Sequence, residues 1–190
     1  MQQRRLKIAV HSMDGVGHLS ACAGIMQPLI AHGHDVFFIA NSAFEGKLAK
    51  YGAREVLLSR KMTPEEAEEA KSIAKNIGTA MVQAGFIGPG SAIDKMRTFH
   101  NNGFFESCWN TVVEFDPKME QILAEEKPDL LLVDHFLIPP SFVKLGVPYV
   151  IIHSCSPLMA YSSDRLPPPF SGKFFFFLLD SVRSLDFVIF

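Results

Sequence analysis

The chain predicts an α/β fold, a parallel sheet with helices on both faces. Short apolar runs alternate with helical segments along 190 residues. Turn residues and glycines fall at the boundaries between them. An order of strand, helix, strand, helix, strand, helical stretch, strand, helix, strand belongs to parallel sheets, whose strands need crossover connections.

Ile8-Ala9-Val10 reads as the first strand, buried on both sides. Leu19, Ile25, Met26, Leu29 and Ile30 recur at helical spacing, and Gly33 stands where a C′ glycine ends a helix. Val36-Phe37-Phe38-Ile39 is the second strand. Ala43 to Tyr51 is expected as a short helix stopped by Gly52, followed by a third strand at Glu55 to Leu58. Thr63, Pro64 and Glu66 spell a capping box with proline at N1. Gly85 to Gly90 reads as an irregular loop, and Phe104 to Glu126 as a helical region. Leu130-Leu131-Leu132-Val133 is the clearest strand. Ser141 to Leu145 and Tyr149 to Ile152 supply a last short helix and strand. The five strands are expected near 7–12, 35–40, 55–58, 130–134 and 149–153.

With 48% hydrophobic residues the chain can fill one sizeable core. A net charge of −2 excludes broad electrostatic attraction to nucleic acid or anionic membrane. The one dense basic cluster, Arg4-Arg5-Leu6-Lys7, reads as a solvated flank. Cys22, Cys108 and Cys155 show neither metal spacing nor the even count of a disulfide framework. Cys155 reads as a buried thiol rather than a nucleophile. No signal-peptide core follows the N-terminus, and the longest apolar run, Phe174 to Leu179, falls far short of the roughly 20 residues that span a bilayer. A soluble, cytoplasmic protein is expected.

In open α/β sheets ligands bind outside the carboxyl ends of the strands. Two places there carry chemistry. The loop His11-Ser12-Met13-Asp14-Gly15-Val16-Gly17-His18 has two glycines suited to a tight turn, and it sets His18 at the start of a helix. A helix N-terminus disfavours protonated imidazole and so keeps it available as a base. The second place is Asp134, at the end of the clearest strand. A carboxylate there is costly unless solvated or paired. Capping of the next helix is its plainer role. The side chains of His18 and Asp134 are expected to meet across one crevice, directly or through one water. An aspartate orienting a histidine base is a recurrent catalytic arrangement. A dinucleotide fingerprint is the weaker reading of the glycine loop. Ser20 stands where the third glycine belongs, and Ala40-Asn41-Ser42 supplies no acid for a ribose. His32 and His34 read as turn residues beside Gly33.

Gly-Val-Gly-His at 15–18, Ala-His-Gly-His-Asp-Val-Phe-Phe at 31–38, Lys-Pro-Asp-Leu-Leu-Leu-Val-Asp at 127–134 and Gly-Val-Pro-Tyr-Val at 146–150 occur in that order. Together they resemble the UDP-glycosyltransferases over about residues 6–172. The resemblance implies the N-terminal, acceptor-binding half of a two-domain GT-B enzyme, itself a Rossmann-like domain spanning 1–172. It implies His18 as general base and Asp134 as its partner. The co-substrate would be a UDP-sugar, bound mainly by a C-terminal donor domain that these 190 residues do not include. The acceptor would be a small lipophilic molecule with a hydroxyl group. Gly17, Phe86, His135, Phe136 and Ser154 are the candidates for lining its site. No cofactor and no metal are implied, and the chain alone is expected not to transfer sugar. A non-catalytic acceptor-binding module remains the alternative of another class. Residues 173–190, with four consecutive phenylalanines at 174–177, match neither strand nor helix patterning and are expected to lie outside the domain fold.

Overall fold

A computed structural model describes residues 4–59, 63–65, 68, 78–79, 81–83, 87–135 and 137–154. The chain divides into two compact units, Met1–Asn76 with Phe105–Cys155, and Ile77–Phe104 with Ser156–Phe190.

The first unit is built on five strands: β1 (Lys7–Ser12), β2 (Asp35–Ala40), β3 (Arg54–Leu57), β4 (Leu130–Asp134) and β5 (Tyr149–Ile151). They form one sheet in the order β3-β2-β1-β4-β5, and each neighbouring pair is parallel. The α/β expectation therefore holds, with every expected strand present. The chain proceeds outward from β1 through β2 to β3, then returns to lay β4 on the other side of β1. A crevice opens at such a reversal of strand order, at the carboxyl ends of the strands on either side. The register sets Ser12 opposite Asp134, so the ends of β1 and β4 are level.

Alternation along the strands feeds two cores. Ile8, Val10, Val36, Phe38, Ala40 and Leu132 face one way and pack with Leu19, Cys22, Ala23 and Met26 of α1 (Val16–Ala31). Their spacing of three and four residues makes one helical stripe. The stripe differs from the sequence reading at one position: Ile25 points outward and is 37% exposed, while Cys22 takes the inner place. Leu29 and Ile30 pack against the same core. Gly33 follows α1 with φ +86°, the left-handed conformation that suits a C′ glycine.

On the other face Ala9, Phe37, Ile39, Leu131 and Val133 pack with Met119, Ile122 and Leu123. Those three belong to the long helix Phe104–Glu126. Phe142, on the short helix Pro140–Lys144, completes this core and is fully buried.

One local expectation is corrected, and one element is added. The stretch 43–51 forms two 3-10 turns, Ser42–Phe44 and Ala49–Tyr51, not one helix. The Asn41 side chain accepts from Ala43 N–H, and the Glu55 carboxylate accepts from Gly46 and Leu48 N–H, so side chains replace the helical ladder. The Gly52 stop is present, with φ +77°. The added element lies in the second unit. A helix at Ala92–Asn101 has a full capping box made by Ser91 and Asp94, at a place where no helix was expected. The helices with described bounds are labelled in chain order α1, α2 (Ala92–Asn101), α3 (Phe104–Glu126) and α4 (Pro140–Lys144). The Thr63 start is seen only through Pro64 and Glu65, since Glu66 lies outside the described residues, as do Gly85 and Phe86. Residues 155–190, and with them the expectations for Cys155 and the 173–190 tail, also lie outside them.

The opposite end of the sheet is closed by ion pairs between side chains. Glu126, ending α3, binds Arg54 through both carboxylate oxygens at 2.7 and 2.8 Å and Lys7 at 2.7 Å. Hydrogen bonds from Arg54 and then Lys7 hold its carboxyl down at about 2. The Arg54 guanidinium lies 4.7 Å above the Phe37 ring. Among the described residues no helix is long and apolar enough to cross a membrane.

Candidate active site

α1 begins directly at the mouth of the β1–β4 crevice. Gly15 is its N-cap, and His18 falls in its first turn. The glycines act differently from a tight turn. Gly15 has φ 178°, an extended backbone open to any residue. A Cβ added there would meet His18 Cδ2 at 3.1 Å, so Gly15 makes room for the imidazole. Gly17 lies in the helix, and a Cβ there would enter open space.

The room is used. His18 Nδ1 lies 2.9 Å from Asp134 Oδ2, in a carboxylate–imidazole contact between residues 116 apart in sequence. The Asp134 side chain is 4% exposed and that of His18 16%. Asp134 comes last in a strand whose other residues make core, and its own Met13 N–H to carbonyl bond of 2.9 Å ties the glycine loop to β4. A carboxylate so enclosed must be compensated. Oδ2 takes the His18 ring, and Oδ1 accepts from Ser154 N–H at 3.3 Å. An ionised acceptor at Oδ2 assigns the proton to His18 Nδ1, and Nε2 is then the basic nitrogen of the ring. Asp134 does not cap the following helix. Asp116 of α3 does so, accepting from Ser141 N–H at 3.0 Å.

Ser154 has a second contact. Its Oγ lies 2.9 Å from His18 Nδ1. His135 turns elsewhere. Its Nδ1 accepts from Leu137 N–H at 2.9 Å, and its ring stacks on His11 with centroids 6.1 Å apart. Burial, followed by the nearby His18, lowers its pKa. His11 sits one residue before the end of β1, donates from Nδ1 to the Ile39 carbonyl at 3.1 Å, and meets the Phe142 ring edge-on. Burial pushes its pKa down to about 4, and the neighbouring His135 adds to the fall. These two rings are neutral near pH 7. Beneath the dyad, Cys22 is pushed up to about 12, first by burial and then by the Asp134 charge, which leaves it an inert thiol.

Of the residues singled out from sequence, His18, Asp134 and Ser154 come together. Gly17 is one residue away, exposed at the start of α1, and His135 pairs with His11. Phe136 and Phe86 lie outside the described residues. The His11–His135 pair was not read from the sequence. Its only signal was a histidine near the end of each of two adjacent strands. His32 and His34 are turn residues as expected: His32 Nδ1 donates to the Pro28 carbonyl at 2.7 Å, and His34 Nδ1 accepts from Leu6 N–H at 3.1 Å. Among the described residues no three His, Cys, Asp or Glu side chains are grouped to hold a metal ion.

Among the solved structures similar to this chain are two glycosyltransferases. One is the glycotransferase of kitacinnamycin, 20% identical, with a TM-score of 0.48 over 78% of this chain and 30% of that one. Another is CalG4, the calicheamicin glycosyltransferase, 17% identical, with a TM-score of 0.48 over 78% of this chain and 32% of that one. The chain thus spans about a third of the length of either. No protein-family model matches the sequence, and no curated protein matches it.

Proposed function

We propose that this chain is the acceptor-binding half of a UDP-glycosyltransferase, with His18 as general base and Asp134 as its partner. The observation that carries the reading is the 2.9 Å contact between His18 Nδ1 and Asp134 Oδ2 at the carboxyl ends of β1 and β4. The ordered motifs at 15–18, 31–38, 127–134 and 146–150 give it the family context.

The chemistry follows from the pair. The acceptor hydroxyl gives its proton to His18 Nε2 as its oxygen bonds to the anomeric carbon. The bond from that carbon to the phosphate oxygen breaks, and UDP leaves with the electron pair. A single displacement inverts the anomeric centre. The imidazolium formed is offset by the Asp134 carboxylate, which also holds the ring in the tautomer that leaves Nε2 basic. Enclosure of that carboxylate strengthens the effect. The acceptor is a small lipophilic hydroxyl compound, and Gly17 is the described candidate exposed beside the base. The UDP-sugar is held mainly by a donor domain, because transfer requires both reactants in attack geometry.

The test is a screen of several UDP-sugars against lipophilic hydroxyl acceptors, with this chain beside a longer form that includes a donor domain. The longer form is expected to make glycoside, and His18→Ala in it to lose on the order of 100-fold or more in turnover. Turnover near the wild-type rate in that variant rules out the base.

A further inference from the structure

Ser154 stands three residues beyond β5, on a segment fastened to β4. Ile152 N–H donates to the Val133 carbonyl at 2.7 Å, and Ser154 N–H donates to Asp134 Oδ1 at 3.3 Å. Its hydroxyl oxygen lies 2.9 Å from His18 Nδ1, the same distance as Asp134 Oδ2. One ring nitrogen therefore faces two oxygens, and the residue that supplies the second also holds the carboxylate that supplies the first.

We propose that Ser154 is a positioning residue for the base, a role that rests on reading His18 as that base. The neutral imidazole has one N–H. With the proton on Nδ1, both oxygens accept it and Nε2 is basic. With the proton on Nε2, Nδ1 turns a lone pair towards the Asp134 carboxylate, which is repulsive. A serine hydroxyl is able to donate or accept, but the carboxylate beside it selects the Nδ1–H form and with it the accepting role of Oγ. Two acceptors then share one proton from different directions. A single hydrogen bond lets the ring rock about its own side-chain torsions, and a second one fixes its plane. The backbone N–H of Ser154 limits rotation of the Asp134 carboxylate in the same way. Outer partners of this kind set tautomer and orientation of a functional histidine. Ser154 acts through His18 and Asp134, with no contact to substrate required.

The experiment uses this 190-residue chain labelled with 15N-histidine, and reads the His18 ring nitrogens by NMR in wild type, Ser154→Ala, Ser154→Thr and Asp134→Asn. Wild type is expected mainly as the Nδ1–H tautomer. Ser154→Ala is expected to lower the ratio of Nδ1–H to Nε2–H by roughly fivefold, the size of one net hydrogen bond. Ser154→Thr, which keeps the hydroxyl, restores the ratio, and Asp134→Asn disturbs it more than Ser154→Ala does. A wild-type ratio in Ser154→Ala, with Asp134→Asn shifted, overturns the proposal. Should Ser154→Ala lose its folded amide spectrum, Ser154→Cys, nearly the same in shape and a weaker acceptor, is expected to show the same shift at reduced size. An unshifted ratio there is equally fatal. The readout is the ring proton and not a glycoside. Failure of sugar transfer therefore counts against the base role, while the tautomer ratio decides the role of Ser154.

Discussion

Gly15 shows how much one missing methyl group decides. Its backbone needs no glycine, yet a Cβ would lie 3.1 Å from His18 Cδ2. Gly15→Ala should therefore fold with stability within about 1 kcal/mol of wild type. The alanine pushes the imidazole by a few tenths of an ångström, which loosens its contact with Asp134 Oδ2. On the proposed role of His18 as base, turnover of a transferring form is expected to fall by roughly tenfold, since small misplacements of a catalytic group are costly. Paired thermal melts and initial rates check this, and an unchanged rate shows that the ring has slack. Gly17→Ala makes the contrast. With open space at its Cβ and a helical backbone, it should stabilise the chain by about 0.5–1 kcal/mol.

Elements differ in what holds them. α1 has 16 residues and a continuous buried stripe. α4 has five residues, too few for a helix to persist on its own. It is held by Phe142, buried in the same core as Ile39, Val133 and Leu123, and by Asp116 at Ser141 N–H. Phe142→Ala is expected to cost about 3–5 kcal/mol in urea unfolding, as large-to-small changes of fully buried aromatics do. Val143, the next residue, is 66% exposed, and Val143→Ala should stay within about 0.5 kcal/mol. A loss under 1 kcal/mol at Phe142 would show that the pocket collapses or that α4 is dispensable. The helix boundaries themselves were legible where local chemistry writes them, as at Gly33 and Glu126. The stretch 43–51 was not, because Glu55, from the next strand, supplies the acceptor for Gly46 and Leu48 N–H. α2 was readable in principle. Its Ser91–Asp94 box is spelled in the sequence, but it lies beside the glycines of the preceding loop.

Across the whole molecule, acid acts through the groups that folding perturbs. His11 has its pKa lowered from 6.5 to about 4, so the unfolded chain binds the proton first. Stability must then fall as pH drops from about 6.5 to about 4 and be insensitive to this group below that. His135, shifted the same way, adds to the slope. At about 1.4 kcal/mol per pH unit the His11 share has an upper bound on the order of 3 kcal/mol, reduced by the ring's partial contact with solvent. Glu126, held at about 2 in place of 4.5, extends the loss to lower pH. His11→Asn keeps a donor for the Ile39 carbonyl and removes the titration. Its melting temperature should fall less than that of wild type between pH 6.5 and 4. Parallel curves for the two proteins would show that His11 is not perturbed by folding.

The sequence by itself determined the layers of this protein. Strand runs such as Leu130 to Val133, the glycine stops and the alternation of periods are local and depend on nothing distant. Parallel pairing follows because each strand is separated from the next by a crossover. The sequence also put His18 and Asp134 at the ends of their elements, where ligands bind. From that placement their meeting was expected, and they do meet, directly at 2.9 Å. Only the tertiary structure decided how they meet and what else joins them. The order β3-β2-β1-β4-β5 makes β1 and β4 neighbours and sets Ser12 level with Asp134, which brings His18 to a carboxylate 116 residues away. The same packing carries Ser154 onto both, stacks His11 on His135, and gives Gly15 its purpose in the space of another residue's ring. Periodicity records which face of an element is apolar. It holds no record of which residues from distant segments share that space, because their contacts exist only once the sheet has closed.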